Sequence, residues 1–135
     1  MALQFSVAVR NARLDAIETA IGTAAVLKIR SGAPPANVAT ADSGTVLATL
    51  SLPSDWMAAA SGGTKAKAGT WEDASADAAG TAAHWRLYAS DGTTAHAQGT
   101  VTATGGGGDL TVDNVSFAAG QTFTVTIFTI TEANS

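Results

Sequence analysis

Apolar residues recur with two different periods along this chain. Over VAVRNARLDAIETAI, Leu14, Ile17 and Ile21 fall at i, i+3 and i+7, with Val7 and Arg10 earlier on the same side. That spacing predicts one amphipathic helix over 6–21, with Ser6 as its N-cap and Gly22 as its stop. A helix of this length is marginal alone in water, so it needs a neighbour, either its own sheet or another subunit. From residue 24 the period becomes two, punctuated by turn residues roughly every eight to twelve positions, the pattern of an all-β sandwich or barrel. Strands are expected at 24–30, 45–52, 64–72, 83–89, 95–103, 109–117 and 121–131, enough for two sheets. In the last of these Phe123, Val125 and Ile127 alternate with threonines until Ile127-Phe128 breaks the pattern. A bulge there would turn Phe128 and Ile130 toward the face opposite Phe123.

The connections are also readable. Residues 31–44 form a loop, because Pro34 and Pro35 remove two donors and push their predecessors toward extended backbone; a long ordered arm is the other form open to it. Residues 72–82 are polar and small, as in a mobile surface loop, and Gly105–Gly108 make a flexible turn. Asp91-Gly92 reads as a two-residue hairpin turn that pairs Tyr88 with Ala95, Leu87 with His96 and His84 with Gly99. In that register the two histidines lie on opposite faces, His84 beside Arg86 and Tyr88, His96 beside Trp85 and Leu87. A three-residue loop would put them on one face but still about 13 Å apart, so neither register lets both bind one metal ion.

Composition narrows the function. One domain, 1–135, is expected, with its helix at 6–21 and a sandwich over 24–131. The 46% hydrophobic share contains 30 alanines, and Ala, Thr and Gly fill 63 of 135 positions, a balance suited to thin sheets and close backbone approach. Only 13% of residues are charged, so much of the surface is Thr, Ser, Gly and Ala, which suits being covered. Seven basic against eleven acidic residues leave no positive stripe for phosphates; neither nucleic acid nor an anionic membrane is an expected partner. There is no cysteine to form disulfides or thiolate metal sites. The first residues lack a secretory pattern, so folding in a cytoplasm is expected.

No motif nominates an enzyme, a cofactor or a metal. Glu72, Asp73 and Asp77 do not match a calcium-loop spacing and read as a solvated loop. Asp91, Asp109 and Asp113 read as turn formers. The tetraglycine run precedes a strand and lacks the continuation of a phosphate loop; no nucleophile elbow is present. Trp56, Trp71 and Trp85, with Tyr88, suit either a sugar-binding platform or core and interface packing, and the packing role is favoured. Trp56 and Met57 follow a turn, which places them at a sandwich edge as a contact site. Asn114-Val115-Ser116 is an accidental match to a glycosylation acceptor.

The succession LDAIETAIGTAAVLKIRSGAPP, ADSGTVLATLSLPSDWM and AGTAAHWRLYASDGT resembles small virion proteins of tailed bacteriophages and prophages, in particular capsid decoration (cement) proteins. The resemblance runs from the helix to the Asp91-Gly92 turn and carries no catalytic motif. It implies a jelly-roll type β-sandwich that oligomerises, as a dimer or trimer, on the outer capsid surface and clamps neighbouring major capsid protein subunits. Leu14, Ile17, Ile21, Pro34, Pro35, Trp56 and Met57 are the interface candidates, on the expectation that the helix or the proline loop reaches a neighbour. A tail or receptor-binding module and a carbohydrate-binding sandwich are the rival readings.

Overall fold

Ser6 is extended (φ −63°, ψ 160°), and its hydroxyl accepts the Val9 N–H at 3.3 Å, which opens helix α1 (Val7–Ile21). Gly22 at φ 95° turns the chain away, and its N–H reaches the Glu18 carbonyl at 2.8 Å. The computed structural model describes residues 3–132, so the ends of the 1–135 span lie outside the described residues. With 38% strand and 12% helix it is mainly β, with one helix and curled sheets.

Among the described residues ten strands follow the helix: β1 (Val26–Ser31), β2 (Val46–Ser51), β3 (Thr64–Ala66), β4 (Trp71–Asp73), β5 (Gly80–Tyr88), β6 (Ala95–Ala103), β7 (Leu110–Val112), β8 (Ser116–Phe117), β9 (Phe123–Val125) and β10 (Thr129–Thr131). The main sheet runs β2-β1-β5-β6-β7, with β8 paired to the start of β5; two short ladders, β10-β3 and β4-β9, complete the set. All pairs are antiparallel except β6 with β7.

Register sorts the two faces of the main sheet. Leu27 sits between Leu50 and Leu87, and Ile29 between Ala48 and Trp85, so this face is apolar and buried. Trp85 in turn lies opposite Gly99, where an added Cβ would come within 2.7 Å of the indole; the glycine lets the ring lie flat against the next strand. Phe128 meets Trp85 edge-on (5.4 Å, 89°) and Trp71 at 5.3 Å, Trp71 meets Trp56 at 6.1 Å, and Phe117 meets Phe123 at 4.7 Å. These rings join the main sheet to the short ladders. On the other face Arg30 lies opposite His84 and Lys28 opposite Arg86.

The helix and the main-sheet strands fall where the hydrophobic pattern puts them, with four departures. The expected strand 64–72 divides into β3 and β4 at Gly69, which takes φ 68° with Pro53 packed where a side chain would project. The expected 109–117 strand divides into β7 and β8. The 121–131 strand divides into β9 and β10, which pair with different partners, so the break at Ile127-Phe128 is a crossing between ladders and not a bulge. Phe128 consequently shares one core with Phe123, while Ile127 is left 65% exposed. The 72–82 segment is no free loop: Ala76 is buried and exchanges main-chain bonds with Gln121 and Gly120, Asp77 N–H reaches the Leu47 carbonyl at 2.8 Å, and the last residues belong to β5.

The hairpin also differs. Ala89 pairs with Thr94 and Gly92 N–H returns to the Ala89 carbonyl, so the loop spans 90–93. A register shift between Leu87 and Tyr88 leaves His96 as the extra residue; Leu87 then faces Ala97, and His84 faces Thr100.

Candidate functional site

The residues singled out in the sequence have mostly been spent on the fold itself. Leu14, Ile21, Pro35, Trp56 and Met57 are buried within their own chain, Ile17 is half-buried against the core, and Pro34 alone is exposed. Trp56, Trp71 and Tyr88 are fully buried and Trp85 nearly so, hence none of the four offers a ring face to solvent. Trp56 Nε1 donates to the Gly22 carbonyl at 2.9 Å, and Trp71 Nε1 to the carbonyls of Trp56 and Ala68. His84 is buried with Nδ1 2.8 Å from the Gly32 carbonyl, while His96 is exposed. Asp73 accepts the Thr49 and Ser75 N–H groups, Asp77 the Thr49 hydroxyl and Glu72 the Thr124 hydroxyl, so the three acidic residues do not converge on a common point. Asp91 accepts the Thr94 hydroxyl and the Thr93 and Thr94 N–H groups, bonds that hold its carboxyl far below the usual range.

Two polar clusters had no counterpart in the sequence reading. In the first, the 31–44 loop folds back as a strap across the polar face of the main sheet. Asp42 is its clasp: it accepts from Arg30 Nη2 at 2.9 Å, from the Tyr88 hydroxyl at 2.8 Å and from Arg86 Nη1. Arg86 also donates to the Thr40 and Val38 carbonyls, and Gln98 Nε2 to the Pro35 carbonyl at 2.8 Å. Both guanidiniums and the tyrosine ring are buried. Gly44 closes the strap at φ 72°, where a Cβ would fall 1.9 Å from the Ser31 carbonyl oxygen. Burial alone would raise the Asp42 pKa, but the Tyr88 and Arg86 hydrogen bonds and the charge of Arg30 outweigh it and hold the carboxyl below its ordinary value. Tyr88 is raised, by burial first and then by its bond to Asp42.

The second cluster docks the helix. Asn11, Asp15 and Glu18, spaced i, i+4 and i+7, accept the backbone N–H groups of Gly63 (2.9 Å), Ala60 (2.9 Å) and Met57 (3.3 Å). Beneath them Lys65, 2% exposed, places its ammonium 2.7 Å from Asp15, 2.9 Å from Glu18 and 2.9 Å from the Ala58 carbonyl, which satisfies all three donors. Burial opposes the charge on Lys65, yet its bonds to Asp15 and Glu18 raise its pKa. Asp15 is lowered by the Lys65 bond and then by the Ala60 N–H. A nucleophilic lysine needs the opposite shift, so this one is an anchor.

These shifts fix an acid response. Asp15 and Asp42 titrate lower in the folded chain than unfolded, so the stability they supply is complete above the unfolded value, about 3.9, and is lost as pH falls through the folded values. Circular dichroism between pH 7 and pH 2 is expected to show unfolding only below about pH 4, and the transition should move to higher pH in Asp42→Asn.

What faces outward is uneven. Arg30, Lys65 and Arg86, three of the seven basic side chains, are buried, which leaves the surface poorer still in positive charge. Against it stands a run of large apolar residues ahead of and along the start of α1: Leu3 (75% exposed), Phe5 (39%), Val7 (45%) and Val9 (42%). Arg13 covers one side of Phe5, 5.2 Å from its ring centre. No protein-family model, curated protein or solved structure matches the chain.

Proposed function

We propose that this protein is a structural component of a tailed-bacteriophage head, a decoration protein that binds the outer capsid surface and stabilises contacts between major capsid subunits. The observation that carries the proposal is the exposed run Leu3, Phe5, Val7 and Val9 on a surface otherwise poor in charge. Exposed large apolar residues clustered at one end of a chain mark a protein contact, and among the charges beside them are Arg10, Arg13 and Glu132. The burial of Leu14 and Ile21 moves the contact from the middle of the helix to its first turn and the segment before it. The fold is read as a sandwich of jelly-roll type; an apolar main-sheet face closed by two ladders supports this, and the parallel β6-β7 pair is a local variation on it. The uncompensated acidic surface argues against nucleic acid and anionic lipid as partners.

Two measurements test this. Quantitative mass spectrometry of purified particles should find the protein in fixed, near-stoichiometric proportion to the major capsid subunit. The triple variant Leu3→Glu/Val7→Glu/Val9→Glu, altered only at exposed positions, should lose binding to undecorated shells. A copy number far below that of the capsid subunit would place the protein in the tail or connector instead. Unchanged shell binding by the variant would reject the apolar run as the contact.

A further inference from the structure

The floor beneath the strap is short of negative charge and of acceptors. Arg30 and Arg86 are buried and both pair with Asp42; among the described residues no second carboxylate reaches either guanidinium. Two positive charges against one negative leave the floor cationic, and Lys28, its ammonium 4.9 Å from the Tyr88 ring centre, adds a further cation at the edge. Hydrogen bonding is incomplete in the same place. The Nε atoms of Arg30 and Arg86 are buried without a partner, and as guanidinium nitrogens they serve only as donors. A cavity of about 350 Å³ opens beside the clasp, lined by Val38, Thr40, Asp42, Arg86, Thr93 and Ala95. Small-ligand clefts begin at about 300 Å³.

We infer that the clasp is a site for a doubly charged tetrahedral oxyanion of the phosphate class, which enters from this cavity and displaces the Asp42 carboxylate from Arg30, Arg86 and Tyr88. Asp42 itself shows how such a group is held. One carboxylate oxygen accepts from Arg86 Nη1 and the Tyr88 hydroxyl, and the other from Arg30 Nη2. A carboxylate brings one charge and two oxygens; a phosphate dianion brings more of both, enough to balance the two guanidiniums and to take their idle Nε donors.

The acidic residue in the lining is therefore the internal competitor, and it is placed to yield. Its side chain is 38% exposed and turns to water at little cost. Pro35 is the only buried residue of the strap, so polar contacts and not a packed core hold the lid. The Pro35, Val38 and Thr40 carbonyls are held without Asp42, so the exchange loosens the strap beyond residue 40 and leaves its proline half seated. The cavity lining carries no cation besides Arg86, which suits a small free ion; nucleic acid and anionic bilayers need a broad basic face. The inference holds whether or not the chain sits on a capsid, and its test needs no shell.

Inorganic phosphate, in mildly alkaline buffer where it is mainly the dianion, is the probe. Asp42→Asn keeps an acceptor oxygen and drops the competing charge, so calorimetric titration should show phosphate binding this variant about tenfold more tightly than wild type. Its melting temperature should rise with phosphate and not with sodium chloride of equal ionic strength. Acetate, with a single charge, should bind about tenfold more weakly than phosphate. In the wild type, phosphate should speed hydrogen exchange of residues 41–44 and leave the strands of the main sheet unchanged. Tyr88→Phe in the Asp42→Asn background keeps the ring and removes one donor; it should weaken phosphate binding several-fold with an unchanged circular dichroism spectrum. Phosphate and chloride acting alike on both proteins would overturn the inference. So would equal phosphate affinity in Asp42→Asn and wild type, or an affinity that Tyr88→Phe leaves untouched.

Discussion

Replacing Trp56 by alanine is expected to remove about 3–5 kcal/mol of unfolding free energy, the largest loss of any single substitution considered. Its side chain is fully buried and in ring contact with Trp71, and its indole N–H holds the Gly22 carbonyl at the end of α1. The alanine variant leaves a cavity at the junction of helix, main sheet and ladder, and strips one orphan carbonyl of its donor. Urea titration should show a lower midpoint at an unchanged slope. Trp56→Phe keeps most of the volume and loses the hydrogen bond, so a loss nearer 1 kcal/mol is expected from it. A loss below about 1 kcal/mol for the alanine variant would mean that the ring is not the keystone described.

Asp42→Ala is expected to unfasten the strap. It leaves Arg30 and Arg86 buried without their carboxylate, and breaking a fully buried pair costs about 3–5 kcal/mol. The Asp42 side chain is itself 38% exposed, and solvent screening brings the expected loss to about 2 kcal/mol. The more telling readout is local: limited proteolysis should cut within 31–44 well before any other site, while the wild-type strap resists. Asp42→Asn, which keeps the acceptor oxygen but not the charge, should fall between the two. Equal protection of the strap in Asp42→Ala and wild type would show that the carbonyl contacts of Arg86 and Gln98 hold it without the clasp.

The helix and the main sheet were legible because each is set by local periodicity. The 3.6 period of Leu14, Ile17 and Ile21 and the hydroxyl at Ser6 determine α1 without reference to anything distant. The short ladders were not legible as separate elements, since alternation in TFTVTIFTIT says which residues face inward but not which strand they pair with. The strap was hidden for a related reason. In AHWRLYA the polar residues His84 and Arg86 alternate with Trp85 and Leu87, which is how a strand with one solvated face looks; here the solvent is replaced by the chain's own loop. The available signal was the density of cations at period two on adjacent strands, Lys28 and Arg30 beside Arg86, facing a loop with a single carboxylate. The tryptophans had two readings that differ only in burial, and burial depends on long-range packing that spacing does not encode.

The way α1 is seated has a consequence for how this protein tolerates change. Asn11, Asp15 and Glu18 grip main-chain amides at Met57, Ala60 and Gly63, so the side chains of that stretch contribute little to holding the helix. Met57 answers to the core and Gly63 to the close approach of Arg10, but positions such as Ala58 and Ala59 are exposed and free to drift in composition. Proline is the exception, since at 60 it would delete a rung of the grip and at 58 the Ala58 N–H bond to the Ala66 carbonyl.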